Sequence, residues 1–119
     1  MEINRVLAAL KDSANLVASC NGIFVSEVPR GVTYPLVVIT PVSSEVMNTL
    51  DGEVENLSRF SVQVDLWAKG YSKAMSMTWD AKQGMASSST FNSVLTASRY
   101  DYDVDNSLHR FSLDFSIWH

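Results

Sequence analysis

Two nonapeptides dominate this sequence: RFSVQVDLW at residues 59–67 and RFSLDFSIW at residues 110–118. Each alternates apolar and polar residues. That period belongs to a strand with one buried and one polar face, because successive side chains of an extended chain point to opposite sides. Phe60, Val62, Val64 and Leu66 share one side of the first, and Phe111, Leu113, Phe115 and Ile117 one side of the second. Arg59, Ser61, Gln63, Asp65 and Trp67 oppose the first set; Arg110, Ser112, Asp114, Ser116 and Trp118 oppose the second. The flanking residues do not match, so the echo reflects two strands meeting one constraint in a shared sheet, not a duplicated unit. If the strands are adjacent, antiparallel and in matched register, Arg59 meets Trp118 and Arg110 meets Trp67 as cross-strand cation–π pairs. A Trp closing each polar row marks a surface for a partner, since aromatics are enriched in interface cores. Its alternative is packing under a loop of the same subunit.

The rest of the chain supplies partners for this sheet. From Glu2 to about Ser19, Ile3, Val6, Leu7, Leu10, Ala14 and Val17 recur at helical spacing, which predicts one amphipathic helix ending at Cys20, Asn21 and Gly22. A strand is expected over residues 23–28, then a turn at Pro29, Arg30 and Gly31. The run Leu36, Val37, Val38, Ile39 reads as a central strand buried on both faces. Beyond Pro41 the sequence is polar as far as Ser58, and Asp51-Gly52 is a hairpin signal. A long hairpin protruding from the sheet follows. A second helix is predicted from about Ser72 to Ser87, with Ala74, Met77, Ala81 and Met85 on one face and Met75 and Trp79 widening it. Residues 94–103 and 108–118 form a closing hairpin around Asp105 and Asn106. The expected fold is α+β, in the order α-β-β-β-α-β-β. It has a mixed, mostly antiparallel sheet, two helices on one face and a long hairpin between the second and third strands. Residues 1–119 read as a single domain. Strand order does not follow from the sequence.

Composition excludes several function classes. A net charge of -4 without any run of Lys or Arg argues against a nucleic-acid surface, since phosphate neutralisation supplies most of that affinity. The single cysteine, Cys20, permits no disulfide within the chain and no cysteine-paired zinc site. No apolar run nears the roughly 20 residues of a membrane helix. The amphipathic N-terminus lacks the pattern of a signal peptide, so a cytosolic site of synthesis is expected.

Catalytic and metal chemistry find little to work with. Asp101, Asp103 and Asp105 are spaced like the start of a calcium loop, but Asn106 stands where that loop needs Gly, and Ser112 where it needs Glu. His109 and His119 have no convergent partner in the pattern, and no Ser lies in a Gly-flanked elbow. Cys20 falls at a helix C-terminus, where the dipole raises a thiol pKa. The reading is a non-enzymatic protein without cofactor or metal, whose function lies in its surfaces.

The N-terminal amphipathic helix, the run VPRGVTYPLVVIT, the strand-to-helix passage FSVQVDLWAKGYSKAMSM and the ending SRYDYDVDNSLHRFSLDFSIWH together resemble one family. The chain resembles the tail terminator, or tail completion, proteins of long-tailed bacteriophages, the lambda-type minor tail proteins and their relatives. The resemblance implies a virion protein made in the host cytoplasm. It implies a ring, commonly a homo-hexamer, that caps the tail tube, stops its polymerisation and presents the surface for head–tail joining. Its partners would be further copies of itself, the tail tube protein and the head–tail connector protein. DNA would pass through the ring without specific binding, and no cofactor or membrane would be involved. On this reading the candidate contacts with a neighbouring subunit or the tube are Glu45, Asn48, Asp51, Glu53 and Glu55 on the hairpin at residues 42–57, together with Arg59, Trp67, Arg110 and Trp118. A head–tail connector or head-closure ring protein is the alternative within virion assembly. A stand-alone α+β ligand-binding module is the alternative outside it.

Overall fold

A computed structural model describes the backbone of residues 2–47, 57–88 and 91–118, and the side chains of all these except residues 2, 43–47 and 57–59. Eight elements follow in order: α1 (Glu2–Lys11), α2 (Ala14–Ser19), β1 (Ile23–Val25), β2 (Leu36–Met47), β3 (Leu57–Ala68), α3 (Tyr71–Ala86), β4 (Asn92–Asp103) and β5 (Leu108–Trp118). The five strands form one sheet in the order β1-β2-β3-β5-β4, parallel only between β1 and β2. The architecture is the expected α+β fold with a mixed, mostly antiparallel sheet and helices packed on it. β3 and β4, joined through α3, run parallel to each other with β5 between them.

The two nonapeptides are β3 and β5. They are adjacent, antiparallel and in matched register, with Arg59 opposite Trp118, Val64 opposite Leu113 and Trp67 opposite Arg110. Their apolar side carries the core: Val62, Val64, Leu66, Leu113 and Ile117 are fully buried together with Val6, Leu10, Leu16, Met77 and Met85 from the helices. Burying one Leu or Val of this kind is worth roughly 1.5–3 kcal/mol, so this layer dominates the stability of the fold.

Four local expectations are corrected. The predicted N-terminal helix is two helices, because Ser13 leaves helical geometry (φ -77°, ψ 101°) and its hydroxyl accepts from the Leu16 N–H to cap α2. The break shifts the buried phase: Leu16 enters the core, whereas Ala14 and Val17, in line with the first helix, stay exposed. β1 is shorter than residues 23–28, since Ser26 takes a left-handed φ of 63° and Val28 is exposed. β2 is not central but second from an edge; Val37 and Ile39 are buried while Val38 is half-buried. On α3, Ala74, Met77, Ala81 and Met85 are buried as expected, but Met75 and Trp79 are exposed and do not widen the core face. The Asn21 side-chain amide donates to the Thr33 and Tyr34 carbonyls and to the Thr33 hydroxyl, tying the loop before β2 to the end of the first helical segment.

Candidate assembly surfaces

The sheet face away from the helices is organised in rows that run across the strands. At one end Trp67 of β3, Arg110 of β5 and Asp101 of β4 stand opposite one another. The Arg110 guanidinium carbon lies 5.2 Å from the Trp67 ring centre, and a guanidinium nitrogen lies 3.2 Å from an Asp101 carboxylate oxygen. Tyr34 closes the row from the loop before β2, its ring centre 6.2 Å from that of Trp67. Trp67 is therefore half-buried by its own subunit.

The next row is the polar centre. Asp65 is buried and accepts hydrogen bonds from the Ser112 hydroxyl at 2.5 Å and from the Gln63 amide at 2.9 and 3.1 Å. A carboxylate out of water needs such donors, because its desolvation is costly unless its lone pairs are satisfied. Ser112 and Ser116 are buried as well, so the polar face is turned away from the helices yet closed at its centre by its own neighbours. Arg99 bridges to Asp114 at 3.4 Å beside it. At the far end Trp118 stands opposite Arg59 on β3 and Asn92 on β4, half-buried. The Arg59 side chain lies outside the described residues. The backbone of Glu45 pairs with that of Arg59, its side chain likewise outside; Asn48, Asp51, Glu53 and Glu55 lie outside the described residues altogether.

A second surface, which the sequence reading did not single out, lies at the β4 edge. β4 is almost wholly exposed, because α3 lies mainly over β3 and β5 and touches β4 at only a few positions, such as Tyr71 beside Tyr100. The uncovered strip holds an aromatic cluster. Tyr100 packs against Phe111 (ring centres 5.0 Å apart) and edge-on to Tyr71 (5.6 Å), and Tyr102 lies 4.6 Å from the His109 ring. The Tyr100 hydroxyl and His109 Nδ1 are 2.6 Å apart. Desolvation among these rings, then the charges of Tyr71, Tyr102 and Asp101, hold the Tyr100 phenol above its ordinary pKa. It therefore stays protonated at neutral pH. A legible signal existed for this cluster: Tyr100 and Tyr102 are two apart, which puts them on one side of a strand. Next to it, Met75, Trp79, Ser98 and Phe111 line a groove of about 480 Å³ between α3 and β4.

Among the described residues, neither surface carries a catalytic constellation. The carboxyl of Asp103 accepts from the Asn106 amide and from the backbone N–H groups of Asp105 and Asn106, which is the internal bonding of a turn. Among the described residues no group of three or more His, Cys, Asp or Glu side chains could hold a metal, and no helix is long and apolar enough to cross a membrane. Cys20 is half-buried, and burial pushes its thiol pKa up.

The family profile of tail completion protein gp17 matches residues 4–119. The chain belongs to that family. It is thus a structural protein of a phage tail, as its sequence resemblance predicted. Among solved structures, it is similar to a chain in the virion of a native gene transfer agent particle. The two superpose with a TM-score of 0.67 at 14% identity, over 95% of this chain and 90% of that one. It is also similar in fold to a crystal structure from Akkermansia muciniphila, with a TM-score of 0.55 at 6% identity over 99% of this chain and 49% of that one. No curated protein matches it in sequence. For a tail completion protein the relevant chemistry is that of contact: an open strand edge, a groove beside it, and a polar face with an indole at each end.

Proposed function

We infer that this tail completion protein forms a ring, most simply a homo-hexamer, that caps the tail tube, ends its polymerisation and offers the surface to which the head joins. The observation that carries this reading is the family match across residues 4–119, and the virion particle holding a chain of the same fold adds to it. The sheet suits a ring, because its two edges differ. β1 has three residues and β4 twelve, and a cyclic assembly needs two unlike patches that meet head to tail. A net charge of -4 suits a channel for DNA, since like charge keeps the genome from adhering to the wall.

The hairpin at residues 42–57 is the extension assigned to contact with the neighbouring subunit or the tube protein, through Glu45, Asn48, Asp51, Glu53 and Glu55. Arg59 and Trp118, at the base of that hairpin, extend the same contact. Deleting residues 48–53 should then weaken ring formation or tube capping; a deletion that leaves both unchanged removes the hairpin from the interface. Electron microscopy of tails assembled with and without the protein tests the function itself. Tubes of uncontrolled length in its absence identify a terminator. Normal tails that fail to join heads identify a head–tail connector instead.

A further inference from the structure

We propose that β4 and the groove beside it are the face by which one copy receives the next, pairing edge to edge with the β1–β2 side of a second copy so that the sheet continues from subunit to subunit. The proposal rests on the ring reading and adds which surfaces meet. Among the described residues, β4 has no strand on its outer side along all twelve of its residues. The outward backbone groups along such an edge are a template for another strand, although the Tyr102 N–H already donates to the Asp101 carboxyl. Among the described residues β2 likewise has no strand on that side over residues 40–47, since β1 pairs only with Val37, Val38 and Ile39, although Pro41 has no N–H to offer.

The directions of the strands favour this match. β1 and β2 run one way, β3 the other, β5 with β2, and β4 with β3. When copies stand side by side in one orientation, β4 of the first meets β2 of the second antiparallel, the more stable pairing. The helix layer fits as well. α3 covers β4 only in part and leaves the groove of Met75, Trp79, Ser98 and Phe111 open, whereas the opposite edge of a second copy would bring its own first helices over that gap.

Area identifies a copy of this chain as the occupant in preference to a small ligand. Met75, Trp79, Val94, Leu95, Tyr100 and Tyr102 are all exposed at this edge, Trp79 to 64%. With aromatic side chains of roughly 150–250 Å² each, they present on the order of 500 Å² of apolar surface. All but Val94, which lies on the other face of the same edge, stand on the helix side, and their area is on the scale of patches that mark interaction sites. With a strand's backbone added, it approaches the roughly 800 Å² per partner of a specific interface. The receiving edge has its own exposed apolar residues: Val17, Val28 and Val42, the last at 62%.

Native mass spectrometry of the unmodified protein, Trp79→Asp and Val94→Lys, with hydrogen exchange on the unmodified protein, tests the proposal. Both positions are exposed on different elements, so each variant should keep the melting temperature of the dispersed subunit. Each should lose the ring at concentrations where the unmodified protein is fully closed, a weakening of at least about tenfold. On assembly, amides of residues 92–103 and 40–47 should slow together. If the unmodified protein closes and both variants close equally well, the proposed edge is wrong while the ring reading stands. If β4 slows without residues 40–47, the contact is between two β4 strands and the proposal falls. An unmodified protein that remains a monomer at its highest attainable concentration and on tail tubes overturns the ring and the edge together.

Discussion

Arg110 stands opposite Trp67 on the neighbouring strand, its guanidinium carbon 5.2 Å from the centre of the indole. The pair arises from the echo between the two nonapeptides. Each begins with Arg and ends with Trp, and an antiparallel pairing in matched register sets the first residue of one against the last of the other. A half-exposed cation over an indole is worth about 0.5–1 kcal/mol. A double-mutant cycle of Arg110→Ala and Trp67→Ala, read by urea unfolding of the dispersed subunit, should return a coupling of that size. Strictly additive losses would mean that the contact contributes nothing.

The Ser112 hydroxyl donates to the buried Asp65 carboxylate, which otherwise accepts only from the Gln63 amide among the described side chains. Ser112→Ala should destabilise the fold by about 1–3 kcal/mol, the cost of a buried acceptor that loses a donor. Ser61→Ala, on the same strand face but only half-buried, should stay within about 0.5 kcal/mol. Equal effects of the two would show that Asp65 does not depend on this bond.

Two methionines on α3, two residues apart, should behave oppositely. Met77 is fully buried, and Met77→Ala should cost about 2–5 kcal/mol through lost burial and the cavity left behind. Met75 is half exposed, and Met75→Ala should change the stability of the dispersed subunit by no more than about 0.5 kcal/mol. Thermal and chemical unfolding of both variants checks the contrast.

The Asp103 carboxyl is held below its ordinary pKa, first by the Asn106 side-chain amide and then by the N–H groups of Asn106 and Asp105. A carboxyl with a depressed folded pKa stabilises at pH values above its unfolded pKa of about 3.9, and the contribution disappears as pH falls through the folded value. The melting temperature of Asp103→Ala should therefore lie below that of the unmodified protein from neutral pH down to about 5, and the gap should close in stronger acid. A gap that persists unchanged at the acid end would assign the turn's stability to other groups.

Much of the fold was legible because it is carried by periodicity. Period two in residues 59–67 and 110–118 determines strands with one apolar face, and the stripe of Ala74, Met77, Ala81 and Met85 determines which side of α3 is buried. Ser13 was a readable cap, yet the helical stripe of apolar residues runs through it. The penalty for leaving the helix at one residue is small beside the gain from seating Leu16 in the core. The same holds at β1, where a single left-handed residue, Ser26, ends a strand that the apolar pattern would extend.

The candidate surfaces divide along the same line. The sequence by itself determined that two strands share a constraint and that each carries an indole on its polar side. It also determined the family, through the order of helix, turn and strand. Tertiary structure alone decided the strand order, and with it that Trp67 meets Arg110, that Asp65 is enclosed by Gln63 and Ser112, and that β4 is left as an open edge beside Trp79. The physical reason is the range of the interactions. Alternation and capping are settled within a few residues of chain, whereas strand neighbours are chosen by burial between segments some fifty residues apart, which no local pattern encodes.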